Sequence, residues 1–420
     1  MAKVLFFSYP YSGHINPTIG LIKELTNRGE NVLYYATPCF KEMIESQGAR
    51  FQSYGSYIND LIDKIEPKKS VGSLGAEIGG MVGFVNILLE IGSNYTNKFF
   101  SEYNEAYPDY IIHDSYSVWG SMIARKIGVP AIVSNPSFAF SDKLLDADMD
   151  YVINVLMELM EDSFLKDKSS FKRLIYILSK NIGEKYDIND FNIFNICNSK
   201  FLNIVHTSRL FQPYGEIFDE CFKFVGRPID NREEKADFPF ERLGDRPIIY
   251  ISFGTTSFNK CPGFYQKCIK AFENYDKTVV LSVGNNVDIS SLGYIPENFI
   301  IRNFVPQIKI LKRSSLFITH GGLGGVSEAA VFGVPLIVFP QGGDQNVVGM
   351  RVKQTGAGLC INNTEINPGE LKAAADFVYS NENFRFVSKT IGQSLKTSGG
   401  YVKAVDEIFA CIEKYKRSDD

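Results

Sequence analysis

The stretch "THGGLGGVSEAAVFGVPLIVFPQGGDQ", residues 319–345, carries the pattern that decides the fold. A histidine and four glycines follow an apolar strand pattern and precede a helical pattern, and a second buried strand leads to Asp-Gln. Strand, helix and strand in succession indicate a parallel sheet with crossover helices. The glycines allow close approach of the backbone to a ligand, and the Asp-Gln pair suits a ligand rich in hydroxyls.

The rest of the chain repeats this alternation. Residues 3–8, "KVLFFS", predict a buried strand, and the helix pattern "TIGLIKELTNRG" follows after a loop. Continuation to "RFQSY" gives the order β-α-β-α-β, which is typical of a parallel, doubly wound sheet. Residues 57–100 and 139–200 are less regular, and we interpret them as insertions that shape a substrate pocket.

A change of composition divides the chain. Charged residues and prolines concentrate in "VGRPIDNREEKADFPFERLGDRP", which indicates a linker, and strand patterns resume with "IIYISFGT". The sequence therefore predicts an α/β protein of two Rossmann-like, doubly wound domains facing across a cleft. The predicted parts are an N-terminal domain, a linker, a C-terminal domain and a final helix that could pack back on the N-terminal domain: residues 1–225, 226–246, 247–400 and 401–420.

Composition excludes several classes of protein. Of 420 residues, 45% are apolar and 22% charged, as in soluble globular proteins, and a net charge of −4 without a Lys/Arg run argues against a nucleic-acid partner. The seven cysteines are dispersed without a CxxC pair, which is typical of reduced thiols in a cytosol. The N-terminal apolar run is too short for a signal peptide, and no window of about 18 apolar residues could span a membrane. We expect a cytoplasmic protein without a stable membrane anchor.

His320 and the glycines after it predict an anion site. At a strand–turn–helix junction, backbone N–H groups and the positive end of the helix dipole point at the ligand. Gly322, Gly324 and Gly325 would let a diphosphate approach without a Cβ in the way. A P-loop ATPase is a poor interpretation because the Walker lysine is missing. Taken alone, the pattern is also compatible with a tight structural turn.

The spacing of five residues points to a family. They stand in the order H-x-G-x5-E-x15-D-Q after the segment "FVPQ": His320, Gly322, Glu328, Asp344 and Gln345. This resembles the signature of the family 1 glycosyltransferases, which use UDP-sugars and have the GT-B fold. "GHINP", "FVGRP" and "YISFGT" extend the resemblance over essentially the whole chain. The resemblance implies an enzyme whose co-substrate is a UDP-sugar and which has no cofactor. No residue cluster of the sequence suggests a required metal, and backbone N–H groups with the helix dipole would substitute for one.

The resemblance also assigns donor-binding residues by position. Three sets would contact the nucleoside, the diphosphate and the sugar hydroxyls in turn. The nucleoside set is Val305, Gln307, Ser282 and Glu328; the diphosphate set is His320, Gly254, Thr255, Gly322, Gly324 and Gly325; the sugar set is Asp344 and Gln345. A carboxylate suits a sugar because it can accept hydrogen bonds from two neighbouring hydroxyls.

The chain departs from the plant members of that family at two places. Phe304 stands where many members have Trp, and Gly324-Gly325 replace an Asn-Ser pair. Without those two side chains, the backbone N–H groups must do more of the phosphate binding. Bacterial macrolide-type members have a similar glycine pair, which favours that branch.

His14 and Asp114 are the catalytic candidates. "SGHINP" places His14 in the loop after the first strand, and "YIIHDSY" places Asp114 at the end of another, so both belong to the ligand-binding edge of the sheet. A neutral imidazole can deprotonate a hydroxyl near pH 7 when a carboxylate orients its other nitrogen. The alternatives are a loop histidine that caps the helix and an N-cap aspartate. His113 should point to the opposite face of its strand, and we interpret it as structural.

The implied reaction is the inverting transfer of a hexose, glucose by resemblance, from UDP to a hydroxyl of a small lipophilic acceptor such as a flavonoid or a macrolide. His14 would take the acceptor proton while the glycine-rich turn stabilises the leaving diphosphate. One alternative is a UDP-sugar 2-epimerase of the same fold, which has no acceptor. Another is a non-catalytic nucleotide-sugar-binding protein, which would not need His14. The His14–Asp114 pair and the apolar insertions favour a transferase.

Overall fold

A computed structural model describes most of the chain. The described residues are 1–55, 58, 74–152, 168–189, 191–229, 237–254, 262–285, 287–362 and 365–419. The chain divides into two compact units, Met1–Gly226 with Ser398–Asp420 and Arg227–Thr397. The segment predicted as a linker is therefore split after Gly226, and the final helix belongs to the first unit.

In its described residues the first unit contains a seven-stranded sheet whose neighbouring strands are all parallel. Its strands are β1 (Lys3–Phe7), β2 (Asn31–Ala36), β3 (Arg50–Ser53), β4 (Tyr110–Asp114), β5 (Ala131–Asn135), β6 (Leu202–Val205) and β7 (Phe222–Phe224). Their order in space is β3-β2-β1-β4-β5-β6-β7. This is the doubly wound arrangement that the strand and helix patterns predict.

The second unit repeats the plan with six described parallel strands. They are β8 (Ile248–Ser252), β9 (Thr278–Ser282), β10 (Phe299–Arg302), β11 (Ser314–Thr319), β12 (Leu336–Val338) and β13 (Gly358–Cys360). Their order is β10-β9-β8-β11-β12-β13. Each strand coincides with an apolar run of the sequence, because strands covered by helices on both faces have no polar face.

Helices connect these strands in both units. In chain order the described helices are α1 (Ser12–Asn27), α2 (Lys41–Glu45), α3 (Leu74–Glu102), α4 (Trp119–Ile127), α5 (Lys143–Ala147), α6 (Met149–Tyr151), α7 (Lys168–Tyr186), α8 (Pro262–Phe272), α9 (Gln307–Leu311), α10 (Leu323–Val331), α11 (Asp344–Thr355), α12 (Pro368–Ser380), α13 (Glu382–Thr397) and α14 (Gly400–Asp419). No described helix has the length and apolar character needed to cross a membrane.

The core of the first unit lies on both faces of its sheet. Val4 and Phe6 of β1 share a buried cluster with α1 and α14, whereas Leu5 and Phe7 share another with α3 and α4. Alternate residues of a strand point to opposite faces, so each face receives half of the apolar run. In α14, Ala404, Val405 and Ile408 belong to the cluster that contains α1, which attaches the C-terminus of the chain to the first unit.

One helix begins earlier than the sequence pattern predicts. Helix α1 starts at Ser12, so His14 lies in its first turn rather than in a loop, and Pro17 lies inside the helix. A proline removes a backbone hydrogen bond from the helix interior, which is why the pattern predicted a later start. The helix tolerates the missing hydrogen bond because Ile15 and Pro17 are both buried, and their burial stabilises this part of the helix.

A second difference concerns the segment predicted to be irregular after residue 57. Residues 74–102 form α3, a helix of 29 residues. Its glycines weaken a local helix prediction. Val85, Leu88, Leu89 and Ile91 are buried at helical spacing, and this burial against the unit stabilises the helix.

Candidate active site

In each sheet, successive strands of the chain are added first on one side of the unit's first strand and then on its other side. In the first unit β1 has β2 on one side and β4 on the other, and in the second unit β8 lies between β9 and β11. The loops that leave two such strands run to opposite faces of the sheet and leave a crevice at its carboxyl edge. The predicted site residues of each unit should therefore gather beside these strand pairs.

His14 and Asp114 meet at this position in the first unit. Nδ1 of His14 lies 2.8 Å from Oδ2 of Asp114, and the side chains are 19% and 1% exposed. The other carboxylate oxygen, Oδ1, accepts a hydrogen bond from the backbone N–H of Tyr116 at 2.8 Å. Since a carboxylate can only accept, Nδ1 carries the proton, and a neutral ring then has its lone pair on Nε2. The pair has the geometry of a base and its orienting group.

Aromatic rings surround His14. The ring centroids of Tyr9 and Tyr116 lie 5.1 and 5.2 Å from that of the imidazole. Tyr11 lies 5.5 Å from Tyr9, and Phe84 lies 5.3 Å from Tyr116. Burial raises the pKa of the Tyr9 phenol, which therefore stays protonated at neutral pH. These residues were not predicted from the sequence, although the tyrosines in "YPYSGH" stand next to the histidine.

His113 faces the interior, next to the catalytic candidate Asp114. It is 1% exposed, and its Nδ1 donates to the carbonyl oxygen of Asp114 at 2.8 Å. Burial lowers the pKa of His113, so the ring is neutral. A Cβ on Gly120 would lie 2.4 Å from Cβ of His113, so a residue without a side chain covers it. His113 has a packing role within the first unit.

In the second unit His320 follows β11, next to the loop that follows β8. Its imidazole lies between two glycines: a Cβ on Gly254 would be 2.7 Å from Cε1, and a Cβ on Gly322 would be 2.7 Å from Nε2. The glycines predicted to admit a diphosphate therefore also make room for the imidazole. Burial lowers the pKa of His320 to about 4, against the opposing effects of the Asp344 carboxylate and the Ser252 backbone, so the ring is neutral near pH 7.

The pair Gly324-Gly325 lies at the N-terminus of α10. Gly322 is the N-cap, and Gly324 and Gly325 lie in the first turn, where backbone N–H groups have no partner within the helix. A Cβ on Gly324 would lie 2.9 Å from Nη2 of Arg227, a residue only 8% exposed. Arg227 was not predicted as a site residue, although it belongs to the quoted segment "FVGRP". Its position brings a cation to the N-terminus of α10.

Glu328 and Gln307 form a hydrogen-bonded pair. Glu328 is 5% exposed, and its Oε2 accepts a hydrogen bond from Nε2 of Gln307 at 2.6 Å. Oε1 of Gln307 accepts in turn from the hydroxyl of Tyr250 at 3.0 Å. The side chain of Gln307, predicted to contact the nucleoside, is therefore held against Glu328 in this structure. Neither Tyr250 nor its hydrogen bond was predicted from the sequence.

The remaining residues predicted to contact the nucleoside lie at the end of β9 and in the loop after β10. Ser282 ends β9, is 8% exposed, and donates its hydroxyl to the carbonyl oxygen of Asn303 at 3.1 Å. Val305 is half-buried in the loop after β10, and the neighbouring Phe304 is 47% exposed. An exposed aromatic ring at this carboxyl edge offers a surface on which a flat base can stack.

Asp344 and Gln345 are the first two residues of α11, directly after the loop that follows β12. Gln345 is 7% exposed, and its Oε1 accepts a hydrogen bond from the backbone N–H of Gln341 at 2.9 Å, which closes the turn before the helix. Asp344 is half-buried and close enough to His320 to affect its pKa. Thr255, the remaining predicted diphosphate residue, lies outside the described residues.

The chain is similar to known proteins over its whole length. Residues 266–398 match the C-terminal domain of erythromycin biosynthesis protein CIII-like proteins. The chain is 35% identical over 418 residues to a Bacillus subtilis (strain 168) protein named as the uncharacterized UDP-glucosyltransferase YojK, covering 100% of this chain and 99% of that protein. It is 30% identical over 414 residues to the NDP-glycosyltransferase YjiC of Bacillus licheniformis, covering 97% of each.

A solved structure supports the fold. The calicheamicin glycosyltransferase CalG4 matches with a TM-score of 0.78 and 24% identity, over 98% of both chains. The two Rossmann-like units are those of the GT-B fold. The identity to the Bacillus proteins extends over the full length, and the signature residues gather at the carboxyl edges of both sheets. The chain therefore belongs to the UDP-glycosyltransferase family of GT-B fold, in the branch of the bacterial macrolide-type enzymes.

Proposed function

We propose that this glycosyltransferase moves glucose from UDP-glucose to a hydroxyl group of a small lipophilic acceptor, with inversion at the anomeric carbon. The observation that carries the proposal is the hydrogen bond between Nδ1 of His14 and Oδ2 of Asp114 at the edge of the first sheet. A buried carboxylate that orients a partly exposed imidazole is the arrangement of a general base. A protein that only binds nucleotide sugars has no need of it.

The proposed reaction is a single displacement. Nε2 of His14 accepts the proton of the acceptor hydroxyl as the acceptor oxygen attacks C1 of the sugar. The bond from C1 to the diphosphate oxygen breaks on the opposite face, and UDP leaves with that electron pair. Asp114 stabilises the imidazolium that forms, and its bond to Nδ1 maintains the productive tautomer. The configuration at C1 is thereby inverted.

The second unit would bind the donor. The buried carboxylate of Glu328, held by Gln307, is suited to the ribose hydroxyls. His320 would lie beside the diphosphate, whose charge would face the backbone N–H groups at the N-terminus of α10. Asp344 and Gln345 would then contact the sugar. The name of the B. subtilis relative, a UDP-glucosyltransferase, supports UDP and glucose.

The surroundings of His14 support a lipophilic acceptor. Tyr9, Tyr11, Tyr116 and Phe84 present aromatic rings beside the base, and such rings favour apolar or flat ligands. One protein of similar structure, CalG4, is named as the calicheamicin glycosyltransferase. We therefore propose a flavonoid, a macrolide or another phenol or alcohol as the acceptor.

We further propose that the reaction needs no bound metal ion and takes place in the cytoplasm. Backbone N–H groups at the N-terminus of α10 would supply the hydrogen bonds to the leaving diphosphate. Dispersed cysteines without a CxxC pair support a reducing compartment. Full activity of the purified enzyme in excess EDTA is the expected result, and loss of activity that Mg²⁺ restores would contradict it.

Mass spectrometry tests the central proposal. Purified protein is incubated with UDP-glucose and a panel of phenolic and macrolide acceptors, alongside the variant His14→Ala. A mass gain of one hexose with the wild type only, at equal affinity of both proteins for UDP by calorimetry, is the expected result. A His14→Ala variant that keeps its activity would exclude His14 as the base.

If no acceptor gains a hexose, further experiments distinguish a transferase with another donor from the epimerase. If UDP binds but no acceptor gains mass, the same panel is repeated with other UDP-sugars and with dTDP-glucose. Conversion of the UDP-sugar into its 2-epimer without an acceptor would replace the transferase proposal with the epimerase.

A further inference from the structure

Helix α7 exposes two apolar side chains on its outer face. Tyr176 is 68% exposed and Ile177 is 43% exposed, whereas Phe171, Ile175 and Ile182 on the other side of the helix are buried. The buried side belongs to a hydrophobic cluster that includes residues of α3. One face therefore attaches α7 to the first unit, and the opposite face presents a tyrosine and an isoleucine to the solvent.

Basic side chains flank both of these apolar residues. Lys172 and Lys180 lie one turn before and one turn after Tyr176, and Arg173 lies one turn before Ile177. All five residues are exposed. Residues three or four positions apart are neighbours on a helix surface, so the five form one continuous patch. This patch, Lys172, Arg173, Tyr176, Ile177 and Lys180, is the basic face of α7.

The charge of this helix is opposite in sign to that of the chain. Residues 168–186 contain five Lys or Arg residues and one Glu, which leaves a net charge of +4, whereas the whole chain has a net charge of −4. Lys172 pairs with Asp146, and Lys180 pairs with Glu184. Exposed ion pairs of this kind contribute little free energy, so another anionic surface can compete for the lysines.

A membrane surface of anionic lipids is complementary to both features of this face. Its headgroups attract lysine and arginine, and the boundary between headgroups and acyl chains accommodates tyrosine and aliphatic side chains. Nucleic acid would match the charge alone, because an exposed isoleucine gains nothing from a phosphate backbone. A second copy of the same face would repel the first, because both are positively charged.

We propose that the basic face of α7 docks reversibly on an anionic membrane surface, with Tyr176 and Ile177 inserted among the lipid headgroups. The helix would lie on the bilayer without crossing it. Docking needs neither a sugar donor nor an acceptor, so this proposal goes beyond the proposed function and does not depend on it.

The position of α7 gives such docking a use. Residues of α7 share their buried cluster with Val85 and Leu89 of α3. The same helix α3 carries Phe84, whose ring lies 5.3 Å from that of Tyr116, next to His14. A docked enzyme would hold this part of the first unit near the bilayer, where lipophilic compounds concentrate.

Co-flotation with lipid vesicles tests the role of the charges. The vesicles consist of phosphatidylcholine alone or of equal parts phosphatidylcholine and phosphatidylglycerol. Each basic residue near an anionic surface contributes roughly fivefold to partitioning, so the double variant Arg173→Gln/Lys180→Gln should bind the anionic vesicles roughly tenfold to thirtyfold more weakly than the wild type. The matched control Lys389→Gln/Lys396→Gln removes two exposed lysines of α13 with the same spacing along a helix. It should bind as the wild type does.

Tryptophan fluorescence tests the insertion of the apolar side chains. The chain has one tryptophan, Trp119, which is fully buried, so a new tryptophan on the surface reports its own surroundings. The emission of Tyr176→Trp should shift to the blue with anionic vesicles and stay unchanged with phosphatidylcholine alone. Phe386→Trp is the control, because Phe386 of α13 is 69% exposed, as Tyr176 is to within 1%. Its emission should not respond to either vesicle.

Three results would overturn the proposal. They are no binding of the wild type to anionic vesicles, equal binding of the two double variants, and an emission shift that is the same for both tryptophan variants. Tighter binding to double-stranded DNA than to anionic vesicles, weakened by Arg173→Gln/Lys180→Gln, would replace the membrane with nucleic acid. Each of these results leaves the proposed glycosyl transfer standing, because the measurements contain no UDP-sugar and no acceptor.

Discussion

Nδ1 of His14 and Oδ2 of Asp114 lie 2.8 Å apart although 100 positions separate the two residues in the chain. Parallel pairing of β1 with β4, in the register that pairs Phe7 with His113, brings them together. Because β4 ends one residue later, at Asp114, its carboxylate reaches the first turn of the helix that follows β1. The dyad is therefore a product of the sheet and not of a local motif.

Asp114→Asn should abolish most of the activity without unfolding the enzyme. The amide oxygen can still accept the Tyr116 N–H, and its NH2 group would then face His14 and favour the tautomer with the proton on Nε2. We expect kcat to fall by about 10³-fold or more, with unchanged UDP affinity. Asp109→Asn is the control, since Asp109 bonds to the Lys3 N–H at the other end of the same strand pair. Similar kcat values for the two variants would contradict the dyad.

Gly322→Ala should weaken donor binding through His320. The backbone at Gly322 has a φ of −60°, which alanine adopts without strain, but the new Cβ would lie 2.7 Å from Nε2 of the imidazole. The ring must move, and we expect roughly tenfold weaker binding of UDP by calorimetry. Gly263→Ala, where a Cβ meets nothing within 4 Å, serves as the control. Wild-type affinity in Gly322→Ala would show that the ring position does not matter for the donor.

Tyr250→Phe should loosen the ribose end of the donor site. The lost hydroxyl holds Oε1 of Gln307 and thereby points the Gln307 NH2 group at Glu328. Loss of one such bond corresponds to about 1 kcal/mol, or roughly fivefold in UDP affinity. The effect should disappear with 2′,3′-dideoxy-UDP, which has no ribose diol. A loss of the same size for both ligands would mean that Tyr250 acts only through packing.

The low pKa of His320 should make the second unit sensitive to acid. The folded state has a pKa of about 4 at this site, below the ordinary value near 6.5, because burial disfavours the charged ring. Between these values the unfolded chain takes up a proton that the folded unit does not, so stability falls as pH falls. We expect roughly 1 to 2 kcal/mol of extra loss between pH 7 and pH 5 in the wild type, compared with His320→Gln. Urea unfolding of both proteins at both pH values measures this difference. Equal losses of stability in the wild type and in His320→Gln would contradict the prediction.

Asp344→Ala should impair use of the sugar donor more than binding of UDP. The residue begins α11, beyond the diphosphate residues, where a carboxylate can accept hydrogen bonds from the sugar hydroxyls. We expect kcat/KM for UDP-glucose to fall by roughly tenfold to a hundredfold while the Kd of UDP changes by less than about threefold. An unchanged preference among UDP-sugars would exclude Asp344 from the sugar end of the site.

Sequence patterns were sufficient for the architecture. Apolar runs such as "KVLFFS" and "IIYISFGT" became parallel strands, because a strand covered on both faces is apolar throughout and can be recognised locally. The signature from His320 to Gln345 lies within one strand–helix–strand segment and the loop after it, so its spacing in the sequence already implied a common edge. These features depend on short stretches of chain.

Features that join distant segments were decided only by the tertiary structure. Burial of α3 outweighed its glycines, and packing against the sheet extended α1 over Pro17 and His14. The pairs Tyr250–Gln307 and Arg227–Gly324 each join two elements, so neither appears in the pattern of either one. A sequence pattern shows which face of a segment is buried. Which side chains pack against that face depends on the strand order and register of the sheet, and these exist only in the folded chain.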